Sequence, residues 1–163
     1  MTTNILPVVS DAVKTALEGI TLSQRFVLYR SYGDWEDMLE ETERDLRIDV
    51  IPQECQSELM NRGSTEYRVR ISIYLRKRLT ASDRIAGKIN PTVIDQLVGD
   101  LQAVHEYFVP SQPTQNGLRL SAVQQARWLE GSIKAPFSRK MLKLGQYSGW
   151  CDVIFGYAKT AGS

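Results

Sequence analysis

The sequence predicts an α+β fold in which two amphipathic helices pack on one side of a mainly antiparallel sheet of about five strands. Two observations lead to this class. Apolar residues recur at helical spacing in two segments, and several other segments alternate or are rich in β-branched and aromatic residues. With 163 residues the chain has the usual length of one domain. We therefore expect a single domain over residues 1–159 and a frayed tail over residues 160–163.

The helices are predicted from apolar stripes and from their start signals. The first covers Ile5–Ile20, where apolar residues step by three and four, and Asn4 is its expected N-cap. The second starts at Asn90-Pro91, a cap followed by a first-turn proline, and continues to Phe108. A short third helix is expected over Ser138–Leu144, with the serine as its cap. Each long helix must cover a hydrophobic surface, most simply a sheet.

Five segments are predicted to form strands. The clearest is Glu66–Lys77, in which apolar residues face one way and arginines the other. Pro52 is expected to end the strand before it, because proline cannot donate a ladder hydrogen bond. Residues 53–65 should then form a long loop rather than a tight hairpin. The predicted strands are Gln24–Tyr32, Leu46–Ile51, Glu66–Lys77, Leu118–Glu130 and Trp150–Lys159.

Charge is divided unevenly along the chain. Residues 34–45 carry seven carboxylates and one arginine, and we expect a short helix or a half-ordered loop there. Residues 62–88 carry eight basic residues and two acidic ones. Three arrangements would explain these blocks. They could pair weakly within one fold, the basic strand 68–78 could contact nucleic acid, or the acidic patch of one copy could meet the basic patch of the next.

The third arrangement is heterologous, and it gives a closed ring if the rotation between copies closes. Complementary charge of this kind would fix the partner and the register of the contact. The candidates for inter-subunit contact are the acidic residues Glu36, Asp37, Glu40 and Glu41 and the basic residues Arg68, Arg70, Arg76 and Arg78.

Composition argues against several other functions. Twenty basic residues against nineteen acidic ones do not suit a protein that mainly coats nucleic acid. One histidine and two cysteines do not suggest a Cys/His metal site, and the chain contains no P-loop, G-x-G-x-x-G or G-x-S-x-G motif. We therefore predict no catalysis, metal or cofactor. A small enzyme using His105 as general base remains the alternative, although this residue is expected at the edge of a helix–sheet core.

The expected location follows from two further features. No stretch approaches about 18 consecutive apolar residues, and the N-terminus lacks the basic region of a signal peptide. We expect a soluble protein that is made in the cytoplasm and has no membrane partner.

Several segments together suggest a family. They are the amphipathic helix Ile5–Ile20, the strand Arg25–Tyr32, the acidic Leu39-Glu40-Glu41 leading into Leu46–Pro52, the alternating Tyr67–Ile73, and the ending Gln146–Tyr157. The strand end Val50-Ile51-Pro52 and the late Gly149-Trp150-x-x-Val153 are the most suggestive parts. In this layout the sequence resembles the tail terminator (tail completion) proteins of tailed bacteriophages and the related minor tail and neck proteins.

The resemblance implies a structural role in the virion. Such proteins form a ring, commonly a hexamer, that caps the tail tube, stops its growth and offers a surface for joining the head. The implied partners are other copies of the chain, the tube protein, a neck or connector protein and, in a contractile tail, the sheath protein. DNA would only pass through the lumen. The family has no catalytic residues to carry over. A head–tail connector (neck or stopper) ring is the alternative within the same setting.

Overall fold

The computed structural model of the chain describes residues 4–33, 37–110 and 119–160. Three α-helices and a 3-10 turn (Ala81–Asp83) accompany eight strands in this part of the chain. In chain order the elements are α1 (Ile5–Leu17), β1 (Phe26–Arg30), β2 (Leu46–Asn61), β3 (Ser64–Arg78), β4 (Arg84–Ile85), β5 (Lys88–Ile89), α2 (Pro91–Phe108), β6 (Arg119–Leu120), β7 (Val123–Ala135), α3 (Arg139–Lys143) and β8 (Gln146–Thr160).

Six of the strands form one sheet in the order β1-β2-β3-β8-β7-β6, and β4 and β5 form a separate small hairpin. Only β1 pairs in parallel with its neighbour, and every other pair is antiparallel. The predicted class, α+β with a mainly antiparallel sheet, is confirmed. The strand count exceeds the expected five because β4, β5 and β6 have two residues each, too few to show alternation.

The hydrophobic core lies between α1, α2 and one face of the sheet. Val9 and Val13 of α1 and Leu101 of α2 are fully buried in the same cluster as alternate residues of β2, β3 and β8. Residues 69, 71, 73 and 75 of β3 supply its centre, as the alternation predicts. Both long helices therefore cover the same side of the sheet, which we call the front face. The opposite side is the back face.

The helix predictions are confirmed, with small differences at the ends. α1 ends at Leu17 rather than Ile20, and Asn4 takes the N-cap position without a side-chain capping bond. The Asn90 side chain accepts a hydrogen bond from Thr92 N at 3.1 Å. Ser138 Oγ accepts one from Met141 N at 3.3 Å, so α3 is capped as predicted. No helix in the described ranges is long and apolar enough to cross a membrane.

The β2–β3 hairpin corrects the prediction for residues 52–65. β2 continues through Pro52 to Asn61 and joins β3 by the two-residue turn Arg62-Gly63. The proline is tolerated because the register shifts between Pro52 and Glu54, which interrupts the ladder there. Beyond it the side chains of β2 are largely exposed, so the sequence loses the apolar alternation that marks a strand. The predicted long loop is therefore the far half of a long hairpin.

Two other strands are longer than predicted. β8 begins at Gln146 instead of Trp150. The predicted strand Leu118–Glu130 is two antiparallel strands, β6 and β7, separated by a turn at residues 121–122, and β7 continues to Ala135; Leu118 lies outside the described residues. The acidic residues 37–45 form neither a helix nor a strand up to the bend before β2. Residues 34–36 and 161–163, which include the candidate Glu36 and most of the predicted tail, lie outside the described residues.

Candidate inter-subunit surface

The back face of the sheet carries the arginines that the sequence selected as contact candidates. Alternation along β3 puts Arg68, Arg70 and Arg76 on this face, with Ser72 and Tyr74 between them. Its two halves differ. The half toward the end of β3 is covered by the segment 37–45, which we call the acidic segment. The half toward the hairpin turn is open and charged.

Arg76 is buried, which contradicts its prediction as a contact between subunits. It is 5% exposed, and its Nη2 lies 2.7 Å from Oδ2 of Asp49, which has no solvent exposure. Its Nη1 also donates to the carbonyl oxygen of Asp37 at 3.1 Å. Alternation identifies the face on which a residue lies, but it does not reveal that another segment covers that face. Arg76 is therefore part of an internal ion pair.

Asp49 is the centre of this internal network. Besides Arg76, it accepts hydrogen bonds from Arg47 Nε at 3.0 Å and from Ser31 Oγ at 3.0 Å. Burial of the Arg47 guanidinium lowers its pKa, but the hydrogen bond to Asp49 and the charge of Asp49 outweigh this effect, so the pKa of Arg47 is raised. The Arg47 guanidinium also lies 4.1 Å from the ring centre of Tyr29. A buried carboxylate with several donors is stable only while its partners remain in place.

The Arg78 side chain binds the backbone of the acidic segment. Its Nη1 donates to the carbonyl oxygen of Leu39 at 3.2 Å. Leu39 is buried, and its N donates to Oε1 of Gln146 at 2.7 Å, while Nε2 of Gln146 donates to the carbonyl oxygen of Asp37 at 3.0 Å. The acidic and basic blocks therefore meet within one chain, as the first arrangement requires. The contact uses carbonyl oxygens, and the carboxylates of Glu40 and Glu41 remain exposed.

Arg68 and Arg70 lie on the open half of the back face, where each has an acidic partner. Arg68 Nη2 is 3.4 Å from Glu130 Oε1. Arg70 lies 3.3 Å from both Glu54 Oε2 and Asp152 Oδ2. The side chains of the two arginines are 45% and 36% exposed, so they remain accessible candidates. Together with Glu54, Gln56 and Ile154 they line an open cavity of about 170 Å³.

A third ion pair crosses the same half of the face. Arg127 Nη2 lies 2.8 Å from Glu66 Oε1. The Glu66 side chain occupies the space above Gly156, where an added Cβ would overlap its carboxylate. The open half thus holds three arginines beside four carboxylates, those of Glu54, Glu66, Glu130 and Asp152. Within this open half the arginines are balanced by carboxylates, which weakens the nucleic-acid alternative there.

A second basic surface lies at the end of the sheet where β3 finishes, and the sequence reasoning did not select it. Leu79 N donates to the carbonyl oxygen of Gly145 at 2.8 Å, which brings the β4–β5 hairpin beside the turn after α3. Exposed basic side chains from both elements lie here, and Ile85, Phe137 and Leu144 are exposed among them. Arg84 and Lys88 belong to the basic block 62–88, and the basic character of residues 139–143 was the further sequence signal. We call the following four residues the basic end patch: Arg84, Lys88, Arg139 and Lys143.

The sheet has two open strand edges, one on each side. β1 pairs with β2 only along residues 46–50, so residues 53–61 of β2 have no strand beside their outer edge in the described ranges. On the other side of the sheet, β6 pairs with β7 only between residues 123 and 127. In the described ranges, residues 128–135 of β7 therefore also have no strand beside their outer edge. Exposed backbone donors and acceptors of this kind can pair with another chain.

The candidate general base and the two thiols lie apart from these surfaces. His105 is half-buried on α2, and its imidazole packs on Gly131, where an added Cβ would lie 3.3 Å from Cε1. This agrees with its expected place at the edge of the helix–sheet core. Cys55 is exposed and Cys151 is buried. Among the described residues, no group of three His, Cys, Asp or Glu side chains is arranged to hold a metal ion.

Comparison of the sequence with models of known protein families gave no match, and comparison with curated proteins also gave none.

Proposed function

We propose that this chain is a structural protein that assembles head to tail into a closed homo-oligomeric ring, with a hexamer as the expected size. We propose further that the ring sits at the head-proximal end of a phage tail, where it stops tube growth and provides the docking surface for the head. The observation that carries the assembly is the pair of open strand edges on opposite sides of one sheet. The role in a phage tail is inferred from the resemblance of the sequence to tail terminator proteins. The same resemblance implies the tube, neck and sheath proteins as partners.

The directions of the edge strands support pairing between copies. β2 to β3, β3 to β8 and β8 to β7 are three successive antiparallel pairings, so β2 and β7 run in opposite directions. Rotation about a ring axis from which the strands tilt only moderately largely preserves these directions. The β2 edge of one copy would therefore meet the β7 edge of the next in antiparallel orientation, which is the more stable pairing. Because the two edges differ, the contact is heterologous and can close into a ring.

The heights of the open edges also suit a closed arrangement. β1 covers the beginning of β2, and β6 covers the beginning of β7. Since the two strands run in opposite directions, the open parts lie at different heights along the sheet. A ring whose strands tilt relative to its axis needs such a stagger between neighbours. β7 has register shifts after Trp128 and Ile133, so regular pairing would centre on the four residues between them.

The β2 edge carries only part of the usual protection against strand addition. Residues 53–61 contain no lysine, arginine or proline, and Leu59 and Met60 near the turn are 74% and 58% exposed. Edges that remain in monomers are normally blunted by such residues or covered. Glu54, Glu58 and the two register shifts of β2 blunt this edge in part, so pairing with another copy would use the regular residues 54–59 between the shifts.

Solution mass of the purified protein is the first test, measured by light scattering over a range of concentrations. We expect a discrete closed oligomer, and the double variant Leu59→Lys/Met60→Lys should shift the population toward monomer because added lysines disfavour strand addition. Val109→Lys, at an exposed apolar residue after α2, is the matched control and should leave the mass unchanged.

The tail role is tested separately by adding the oligomer to growing tail tubes. Tubes should stop elongating, with the protein bound at one end. An oligomer that binds a head connector but not tubes would support the connector alternative instead. A protein that stays monomeric at every concentration, alone and with tubes, would contradict the proposal.

A further inference from the structure

We propose that the β4–β5 hairpin, together with the turn after α3, binds an acidic amphipathic helix of another protein. The proposal goes beyond the ring, because this surface uses neither open strand edge and its test does not require the ring. The hairpin forms a small sheet of its own, and its residues 84–88 are all exposed. Their side chains therefore add nothing to the hydrophobic core. An ordered hairpin that does not serve the core is available for contact with another molecule.

The base of the hairpin is fixed, although its tip is exposed. Asp83 Oδ2 accepts a hydrogen bond from Thr80 N at 2.8 Å, and the Asp83 carbonyl oxygen accepts one from Asn90 N at 2.9 Å. The turn contains Ala86 and Gly87 with φ of 51° and 77°, the left-handed pair that a tight two-residue hairpin turn requires. An isolated two-stranded hairpin is only marginally stable, so the bonds at its base help to hold the tip in place. A preorganised tip lowers the entropy that binding costs.

The hairpin lies on the front side of the end of the sheet, away from the acidic segment. It follows Leu79, which packs against the core of the front face, and it leads into α2 on the same face. The acidic segment covers the back face, where Gln146 binds its backbone. Arg84 and Lys88, the two hairpin residues of the basic end patch, lie within salt-bridge distance of no carboxylate among the described residues. Their charges are therefore available to attract an acidic partner.

Exposed apolar side chains from two elements accompany Arg84. Ile85 follows it on the hairpin and is 63% exposed. An added Cβ at Gly145 would lie 3.7 Å from Arg84 Nη2, so the guanidinium lies beside the turn after α3, where Leu144 is 56% exposed. The surface thus combines positive charge with apolar area. A phosphate backbone would attract the charges and leave the apolar groups in water, which favours a protein partner over nucleic acid.

The shape of the hairpin favours a helical partner over an extended one. β4 and β5 have two residues each, which is too short an edge for a further strand to add. Side chains must therefore make the contact. An amphipathic helix presents apolar residues every three or four positions, with charged residues beside them. Its apolar stripe would contact Ile85 and Leu144, while carboxylates on its flanks would pair with Arg84 and Lys88.

Fluorescence anisotropy tests this surface with a labelled synthetic helical peptide that carries leucines on one face and glutamates on its flanks. The wild-type chain should bind the peptide. Arg84→Glu/Lys88→Glu should weaken binding by about tenfold at low ionic strength, because attraction becomes repulsion. Ile85→Ser should weaken binding by about fivefold at low and at high ionic strength, because less apolar area leaves water.

Matched controls carry the same kinds of change at the opposite end of the sheet and of α2. Arg62→Glu/Lys159→Glu reverses two charges near the β2–β3 turn, and Val109→Ser removes an exposed apolar side chain after α2. Both should bind the peptide as the wild-type chain does. Circular dichroism verifies that each variant is folded, and light scattering gives its oligomeric mass.

The outcomes separate this surface from the ring. Weaker binding in both hairpin variants, with both controls unchanged, supports the proposal. Failure of the wild-type chain to bind the peptide overturns it, and so does equally tight binding of a peptide in which serines replace the leucines. Tighter binding of an oligonucleotide of the same charge, lost in Arg84→Glu/Lys88→Glu, assigns the surface to nucleic acid and overturns the proposal as well. A monomeric wild-type chain that binds the peptide through the hairpin would contradict the ring and support this surface.

Discussion

Arg76 illustrates how one residue of the basic strand has a role different from that of the arginines six and eight positions before it. Its guanidinium is almost fully desolvated by the acidic segment and compensated by Asp49, whereas Arg68 and Arg70 remain in contact with water. A buried pair and an exposed pair have very different energetic consequences when one partner is lost. The same residue type on one strand face therefore holds the fold together at one end and remains available for contacts at the other.

Arg76→Ala should lower the free energy of unfolding by about 3–5 kcal/mol, because the charge of Asp49 would be left buried without its closest partner. Arg68→Ala, which removes an exposed pair, should cost at most about 1 kcal/mol. Urea denaturation of the two variants measures the difference. The double variant Asp49→Leu/Arg76→Met should recover part of the loss, and equal stabilities of the two single variants would contradict the burial of Arg76.

Cys151 should contribute a loss of stability at alkaline pH. Burial, with a smaller effect from the Asp152 carboxylate, raises the pKa of its thiol from 9.0 to about 12. Below the unfolded value the thiol is protonated in both states and its contribution is constant. Above it only the unfolded chain releases the proton, so stability falls by about 1.4 kcal/mol per pH unit toward the folded value.

Chemical denaturation across that pH window measures this loss. Cys151→Ala should make the decline shallower, although Tyr147, whose pKa burial also raises, will retain part of it. Cys55→Ala should change the slope less, because Cys55 is exposed and partial burial raises the pKa of its thiol without a further contribution from a neighbouring charge. An identical slope in wild type and Cys151→Ala would contradict the burial of this thiol.

β2 is one strand with two distinct halves. Its first half, up to Pro52, is buried in the core, and its second half is exposed on the β2–β3 hairpin. The sequence predicts the first half correctly because apolar and charged residues alternate there. It does not predict the second half, because pairing with β3 requires no apolar residue and leaves no periodic trace. For the same reason the helices, with their apolar stripes and caps, were predicted more accurately than the short strands.

Hydrogen exchange should distinguish the two halves of β2. In the monomer, amides of residues 46–50 should exchange slowly, while those of residues 54–61 that point away from β3 should exchange rapidly because only water is beside them. On oligomerisation the second group should become protected if its edge pairs with β7 of a neighbour. The equivalent amides of α2, buried against the sheet in either state, provide the internal reference. Unchanged exchange on assembly would contradict edge pairing.

At the scale of the whole molecule, the sheet separates the functions of its two faces. The front face, with α1 and α2, supplies the stability of the single chain. The back face, the strand edges and the end of the sheet carry the groups that are available for other chains. The sequence identified the charge blocks that mark these surfaces, but not which charges neutralise each other inside the fold. Arg70 and Asp152, for example, are 82 positions apart and become partners only through the pairing of β3 with β8.

The space shared by Glu66 and Gly156 has a consequence for how this sequence can diverge. The carboxylate of Glu66 occupies the position that a side chain at 156 would take, and as the far end of a flexible side chain it would have to move aside. A descendant with alanine at position 156 would therefore displace the carboxylate that now lies 2.8 Å from Arg127 Nη2. Three positions on three strands are thereby coupled, and a substitution at position 156 is expected to weaken the ion pair between the other two.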